Sequence, residues 1–329
     1  MNKRERLEKT LAGELTDHVP VTVWRHFPGD DQRAADLARS AVDFQRAFDW
    51  DVAVIAPANT YAVIDYGAQD VWNGSPDGRR IFPKHLVQRS LDWTSLRTLD
   101  PSRGMLGRVY ETVRMVSDAL DAAQSNSVPL MLVVYSPLTQ ARDLVGDEQL
   151  GLHMRTQADR VHSGLNTLTD TLLRFLDSLR RLPLAGILYV ITHANYAALS
   201  EDEYASFGLP YDRKVIDSLP SKYWLNMTFL AGTMPMFKFA PALKSQIFGW
   251  HDRDNEPSLP IGKTIVNGAV CGGVAVHDHL LLGTPVTVRD AARESIQQTG
   301  ARRLLLAAGG FVPVTTPQSN LRALREAVL

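Results

Sequence analysis

The sequence predicts a (β/α)8 barrel built as a single domain over residues 1–329. Three observations carry that expectation. Eight short apolar runs are spaced along the chain, with amphipathic helical patterns between most of them. Several runs are continuous Val, Ile, Leu and Ala without polar alternation, as in strands buried on both faces of a parallel sheet. The chain is 45% hydrophobic and 22% charged, which suits a large folded barrel and excludes a disordered one. A doubly wound open sheet is the competing arrangement, and periodicity alone does not separate the two.

The predicted strands cover residues 19–26, 51–58, 128–135, 186–192, 224–230, 245–250, 264–272 and 302–308. Helical patterns are clearest at 103–123, 146–181, 200–218, 287–299 and 317–328. Ser200 followed by Glu203 is a capping-box pattern. Thr316 is the expected N-cap ahead of Pro317, and Thr287 the expected cap of the helix before it. Residues 67–100 are rich in Gly, Pro, Trp and Asn and read as an irregular excursion over one barrel mouth. No internal repeat, low-complexity run or linker divides the chain.

Charge and cysteine content narrow the function. Lys plus Arg total 35 and Asp plus Glu 36, so no excess positive charge is available to displace the counterions of a nucleic acid. Cys271 is the one cysteine, so no internal disulfide forms. The N-terminus lacks an apolar signal core, and no stretch approaches a membrane span. A soluble, cytoplasmic protein acting on a small molecule is the expectation. Nucleotide-binding GxGxxG, P-loop and HExxH motifs are absent.

In a barrel, chemistry sits at the carboxyl ends of the strands. Arg25 closes the first strand and is a candidate carboxylate clamp, because a guanidinium binds carboxylates bidentately. His26 and His251 are candidate proton carriers, as is His193 after the fourth strand. Arg253, Asn195, Tyr61 and Ser136 are candidate substrate-binding groups, although Ser-Pro at 136–137 also initiates a turn. Arg253 has a competing structural role in pairing with Asp252 or Asp254. Asp143 reads as a surface helix residue, and Cys271, without basic neighbours, as inert packing. Met and Phe at 227–239 read as core or as a pocket wall. The barrel expectation gathers Arg25, His193 and His251 around one cavity.

An ordered set of segments runs through the chain: NKRERLEKTLAGELTDHVPV, WRHFPGD, DWDVAVIAPANTYAVIDYGA, YSPLTQARDLVGDEQL, ITHANYAALSEDEYASFGLPYDRKVI, and a C-terminal stretch from GTPVTVRDAARESIQQTG to LRALREAV. Together they resemble the uroporphyrinogen decarboxylase superfamily, which includes corrinoid-dependent methyltransferases acting on coenzyme M. The resemblance implies the same barrel, a cleft at the strand carboxyl ends, and a homodimer.

Departures from the family pattern shape the functional expectation. The resemblance implies substrate-binding arginines near the first strand; Arg25 matches one, and Gly29 stands at the other. The aspartate that holds pyrrole N–H groups would lie near Ala58-Asn59 and is missing. The tyrosine after strand three falls at Asp143, the serine after strand four near Ala194, and the histidine after strand eight at Gly310. Uroporphyrinogen itself is therefore not the expected substrate. The methyltransferase branch implies zinc held by His-x-Cys after strand six and Cys after strand eight. Here those positions are His251-Asp252-Arg253 and Gly310, so no metal or other cofactor is expected there. A rearranged zinc site would need His251 with His277, Asp278 or His279. The leading expectation is decarboxylase-type chemistry on a small anionic substrate. The alternatives are corrinoid-type methyl transfer with an altered or absent zinc site, together with a corrinoid protein partner, and a non-catalytic binding protein.

Overall fold

The computed structural model describes residues 1–329. Eight parallel strands form one sheet: β1 (Val21–Thr22), β2 (Ala53–Ile55), β3 (Leu130–Tyr135), β4 (Gly186–Ile191), β5 (Met227–Leu230), β6 (Ile247–Trp250), β7 (Ala269–Val274) and β8 (Leu304–Ala308). Their order is β1-β8-β7-β6-β5-β4-β3-β2, so the first two strands meet at the seam of a nearly closed ring. Every residue of β3, β4 and β7 is buried, as strands covered on both faces require. Their apolar side chains belong to one continuous hydrophobic core.

The seam is stitched rather than laddered. Asp51 N donates to Val21 O at 2.9 Å, and Thr22 Oγ1 donates to Val52 O at 2.8 Å. The fully buried Asp51 carboxylate accepts from Val21 N at 2.9 Å and from Arg6 at 2.6 Å. Arg6 belongs to α1 (Lys3–Ala12) and also binds Asp17 bidentately, at 2.7 and 2.9 Å. The opening helix thus supplies the cation that lets an acidic side chain close the barrel.

The remaining α-helices are α2 (Ala34–Phe48), α3 (Gly104–Ala119), α4 (Pro137–Val145), α5 (Asp147–Thr156), α6 (Ala158–Leu179), α7 (Glu201–Phe207), α8 (Leu209–Asp217), α9 (Leu259–Ile265), α10 (Pro285–Thr299) and α11 (Gln318–Glu326). Several boundaries differ from the sequence reading. The helix expected over 146–181 is two helices, broken at Gln157, whose φ of −144° and ψ of 46° leave the helical region. The one expected over 200–218 breaks at Gly208, just before Pro210 opens α8. The seventh strand begins at Ala269, not at residue 264, because Thr264 and Ile265 finish α9. Thr284 rather than Thr287 caps α10: its hydroxyl accepts from Thr287 N while Thr287 Oγ1 accepts from Thr284 N. Thr316 makes no cap bond, and α11 starts one residue later than expected. Ser200 and Glu203 form the expected capping box.

The excursion between β2 and α3 contains an antiparallel hairpin, Gln69–Val71 with Ile81–Lys84. Trp93 anchors its far end, fully buried against Gly164 of α6, where a Cβ would stand 2.4 Å from the indole. The hairpin loop carries Asp77, Gly78 and Arg79 over the carboxyl rim of the barrel. No helix is long and apolar enough to cross a membrane.

Candidate functional site

A cleft of about 360 Å³ opens at the carboxyl ends of the strands. His26 follows β1, Tyr135 ends β3, Thr192 follows β4, and His251 follows β6. His277 comes from the π-helical turn after β7, Phe311 from the loop after β8, and Phe229 from β5. Asp77 and Arg79 close it from the excursion.

The excursion is held down by polar contacts that sequence reasoning did not find. Arg80 binds Asp31 at 2.8 and 3.2 Å, and Asn59 exchanges hydrogen bonds with the Arg80 backbone at 2.7 and 3.0 Å. Asn59 thus spends its amide on anchoring this loop. Gly78, at φ +74°, packs against His26, and a Cβ there would stand 2.9 Å from that histidine's Cβ. The result places Arg79 in the cleft with its guanidinium making no side-chain hydrogen bond and no ion pair within the protein. Its charge acts on His26, Tyr135 and Asp143.

His26 is fully buried and stacks on Phe311 with ring centroids 4.5 Å apart. Its Nδ1 lies 3.0 Å from Pro57 O. A carbonyl only accepts, so Nδ1 carries the proton and Nε2 of the neutral ring holds a lone pair. Nε2 has no partner in the protein. Burial, aided by Arg79, pushes the His26 pKa down to about 4. His251 meets the edge of Phe229 at 5.3 Å, and its pKa is lowered by burial despite the nearby Asp254. Its imidazole makes no hydrogen bond to the protein, so both histidines stand neutral at pH 7 with ring nitrogens to offer a ligand.

The expected grouping of Arg25, His193 and His251 around one cavity does not hold. His251 lines the cleft, whereas His193 and Asn195 line a neighbouring cavity of about 500 Å³. Thr192 and Thr233 form the wall common to both. Arg25 lines neither cavity. Its guanidinium lies over Phe27 and Phe44, at 4.9 and 5.7 Å, and donates to Val314 O at 3.3 Å. Arg25 and His26 are sequence neighbours that part to opposite sides, and the cleft's cation is Arg79.

The other expected substrate contacts are also occupied. Arg253 ties the loop after β6 to β7 and α10, donating to Gly273 O at 2.8 Å, Ser295 Oγ at 2.7 Å and Glu294 at 3.0 Å. Asp252 lies 4.0 Å from that guanidinium. Tyr61 is buried and donates to Val133 O at 3.2 Å. Ser136 caps α4, accepting from Thr139 N at 3.2 Å. Asp143 is not on the surface: it is buried, bound by Arg142 at 2.7 Å, with its pKa raised by desolvation. Cys271 is buried and its thiol pKa is pushed well up by desolvation.

The residues at the zinc positions do not fit zinc. Arg253 is committed to α10, and position 310 has no side chain. A Cβ at Gly310 would stand 2.7 Å from Cε1 of His251, so the imidazole occupies the room a third ligand would need. Nor do three His, Cys, Asp or Glu side chains gather anywhere to hold a metal ion. His277, Asp278 and His279 lie on one π-helical turn, Val276–Leu281, and His279 Nδ1 is engaged by Ala275 N at 3.0 Å.

Comparison with known proteins places this geometry in context. The family model described as uroporphyrinogen decarboxylase matches residues 2–329. A methylcobamide:CoM methyltransferase of Methanosarcina acetivorans is 20% identical over 342 residues, covering 98% of this chain and 96% of that protein. A uroporphyrinogen decarboxylase of Synechococcus is 22% identical over 177 residues, covering 53% of this chain and 47% of that one. Among solved structures, a methyltransferase from Methanosarcina mazei superposes with a TM-score of 0.86 at 18% identity, covering 99% of this chain and 98% of that one, which shows a shared fold.

Proposed function

The chain belongs to the uroporphyrinogen decarboxylase family, and from that premise we propose that its cleft transfers a methyl group from a methylated carrier to a small anionic thiol. The observation that carries this reading is Arg79, an unpaired guanidinium facing a cleft beside two neutral imidazoles. It is supported by the near-full-length likeness to a methylcobamide:CoM methyltransferase. It reverses the order of the sequence expectation, which put decarboxylation first.

In this reading Arg79 binds the acceptor's sulfonate or carboxylate as a charge-assisted pair. His26 Nε2, a lone pair without a partner, and the free imidazole of His251 accept hydrogen bonds from the ligand and orient it. Phe229, Phe311 and Val190 keep water from the reacting atoms. The thiol loses its proton, and the resulting thiolate is the nucleophile. Its sulfur forms the new bond to the methyl carbon while the methyl–carrier bond breaks, and that electron pair leaves with the carrier. A corrinoid protein docked at the cleft mouth is the carrier that the relatives suggest. No step requires a protein-bound metal.

One observation favours decarboxylation as a second reading. Aromatic and aliphatic walls stand next to the Arg79 cation, an arrangement that desolvates a bound carboxylate. Incubation with methylcobalamin and 2-mercaptoethanesulfonate, or mercapto-carboxylates of similar length, decides between the two. The expected result is thiol-dependent loss of the methyl–cobalt absorbance with an S-methyl product, reduced about tenfold or more in Arg79→Met. Absence of S-methyl product with every acceptor overturns the methyl-transfer reading.

A further inference from the structure

The cleft needs a base for the thiol, and its own histidines are poorly equipped to be that base. An imidazolium formed in a buried site needs an anion beside it. The Pro57 carbonyl and Asp77 do not offset the burial of His26 beside the Arg79 charge, and Asp254 does not offset the burial of His251.

The neighbouring cavity holds the missing pair. His193 is buried, and its Nε2 lies 3.2 Å from the Asp147 carboxylate at the start of α5. The carboxylate only accepts, so Nε2 carries the proton and Nδ1 is the acceptor of the neutral ring. Thr192 Oγ1 lies 2.8 Å from that Nδ1 and donates to it. Thr139 Oγ1 stands 2.9 Å from Thr192 Oγ1, and Ser136 Oγ 2.9 Å from Thr139 Oγ1, so the hydroxyls form a chain ending on His193. Thr192 belongs to the wall of both cavities. Asp147 is 73% exposed, so the far end meets solvent.

We propose that Thr192, His193 and Asp147 form a proton relay from the cleft to solvent, with His193 as the base for the acceptor thiol. This rests on the methyl-transfer reading, which supplies the proton. The S–H bond breaks as Thr192 Oγ1 takes the thiol proton, and Thr192 passes its own hydroxyl proton to Nδ1 of His193. The imidazolium is held by Asp147 and its Nε2 proton leaves to water past that carboxylate; loss of the Nδ1 proton and uptake of one from water at Nε2 then return the resting Nε2–H ring before the next thiol binds. Arg142, Asp143, Glu148 and His85 are the other charged or titratable groups around this pair.

Two measurements on the intact protein separate the relay from the reading beneath it. S-methyl product formation by the wild type tests methyl transfer. Proton release on binding 2-mercaptoethanesulfonate without methyl donor, followed by a pH indicator in a stopped-flow instrument, tests the relay. Thr192→Val and Asp147→Asn are expected to slow proton release and kcat by about tenfold or more with thiol KM nearly unchanged, and Thr192→Ser to restore both. The 15N shifts of neutral His193 are expected to report the Nε2–H form. Product formed at wild-type rates by Thr192→Val and Asp147→Asn, or a neutral His193 protonated on Nδ1, overturns the relay alone. A wild type that neither binds nor methylates the thiol removes the proton to be carried and overturns both.

Discussion

Gly310 and His251 share one volume: the imidazole fills the space where a side chain at 310 would project, with Cε1 at 2.7 Å from the Cβ position. Gly310→Ala is therefore expected to push the ring out of place. A displacement near 1 Å at a reacting site costs on the order of a hundredfold in rate, so kcat is expected to fall between tenfold and a hundredfold. The His251 ring resonances are expected to shift with it. Unchanged resonances and an unchanged kcat would show that the ring is not held by this contact.

Arg79 gives a different signature. An exposed arginine in an ion pair can be lost at little cost, but Arg79 has no internal partner to leave behind. Arg79→Met is expected to leave the thermal midpoint within a few degrees of wild type while weakening the anionic ligand about tenfold to a hundredfold. Calorimetric titration with 2-mercaptoethanesulfonate checks this. Equal affinity in the variant would remove Arg79 from the anion site.

The fold was far more legible than the site. Continuous apolar runs such as Leu130–Tyr135 mark strands wherever they occur, because a residue buried on both faces of a sheet has few polar options. Boundaries were lost where one local signal served two elements, as at Thr264 and Ile265, β-favouring residues that end a helix. Arg25 failed as a clamp because its place at a strand end fixes its depth and not its direction: His26 takes the inward side and Arg25 packs on Phe27 and Phe44. Arg79 was missed because it lies in an irregular excursion without periodicity. Its one local signal was Asp-Gly-Arg-Arg at 77–80, a turn glycine among charges. The partnership of His193 with Asp147 spans 46 residues, and only the closed barrel brings the two together.

His26 sets a pH dependence of stability. Its folded pKa is about 4 against an ordinary value of 6.5. Between these values the unfolded chain binds the extra proton and the native ring does not, so stability falls as pH drops from about 6.5 to about 4. Above that window the penalty is absent, and below it the penalty is constant, at roughly 3 kcal/mol. Urea midpoints measured from pH 7 to pH 4 are expected to decline less steeply in His26→Phe than in wild type. Parallel curves would place the proton uptake elsewhere.

The seam between β1 and β2 is expected to be the barrel's most electrostatically sensitive point. Asp51 is fully buried, and Arg6 is the cation bound to it, at 2.6 Å. Removing one member of such a pair strands the other, at a cost of about 3 to 5 kcal/mol. Arg6→Met is expected to lose that much in urea denaturation, and Asp51→Asn somewhat less, since the amide oxygen still accepts from Val21 N. The double variant should be more stable than the sum of the two losses implies, because no charge is left uncompensated against the other. Strict additivity, or a loss under about 1 kcal/mol in Arg6→Met, would mean that the backbone bond from Asp51 to Val21 closes the ring without help from the ion pair.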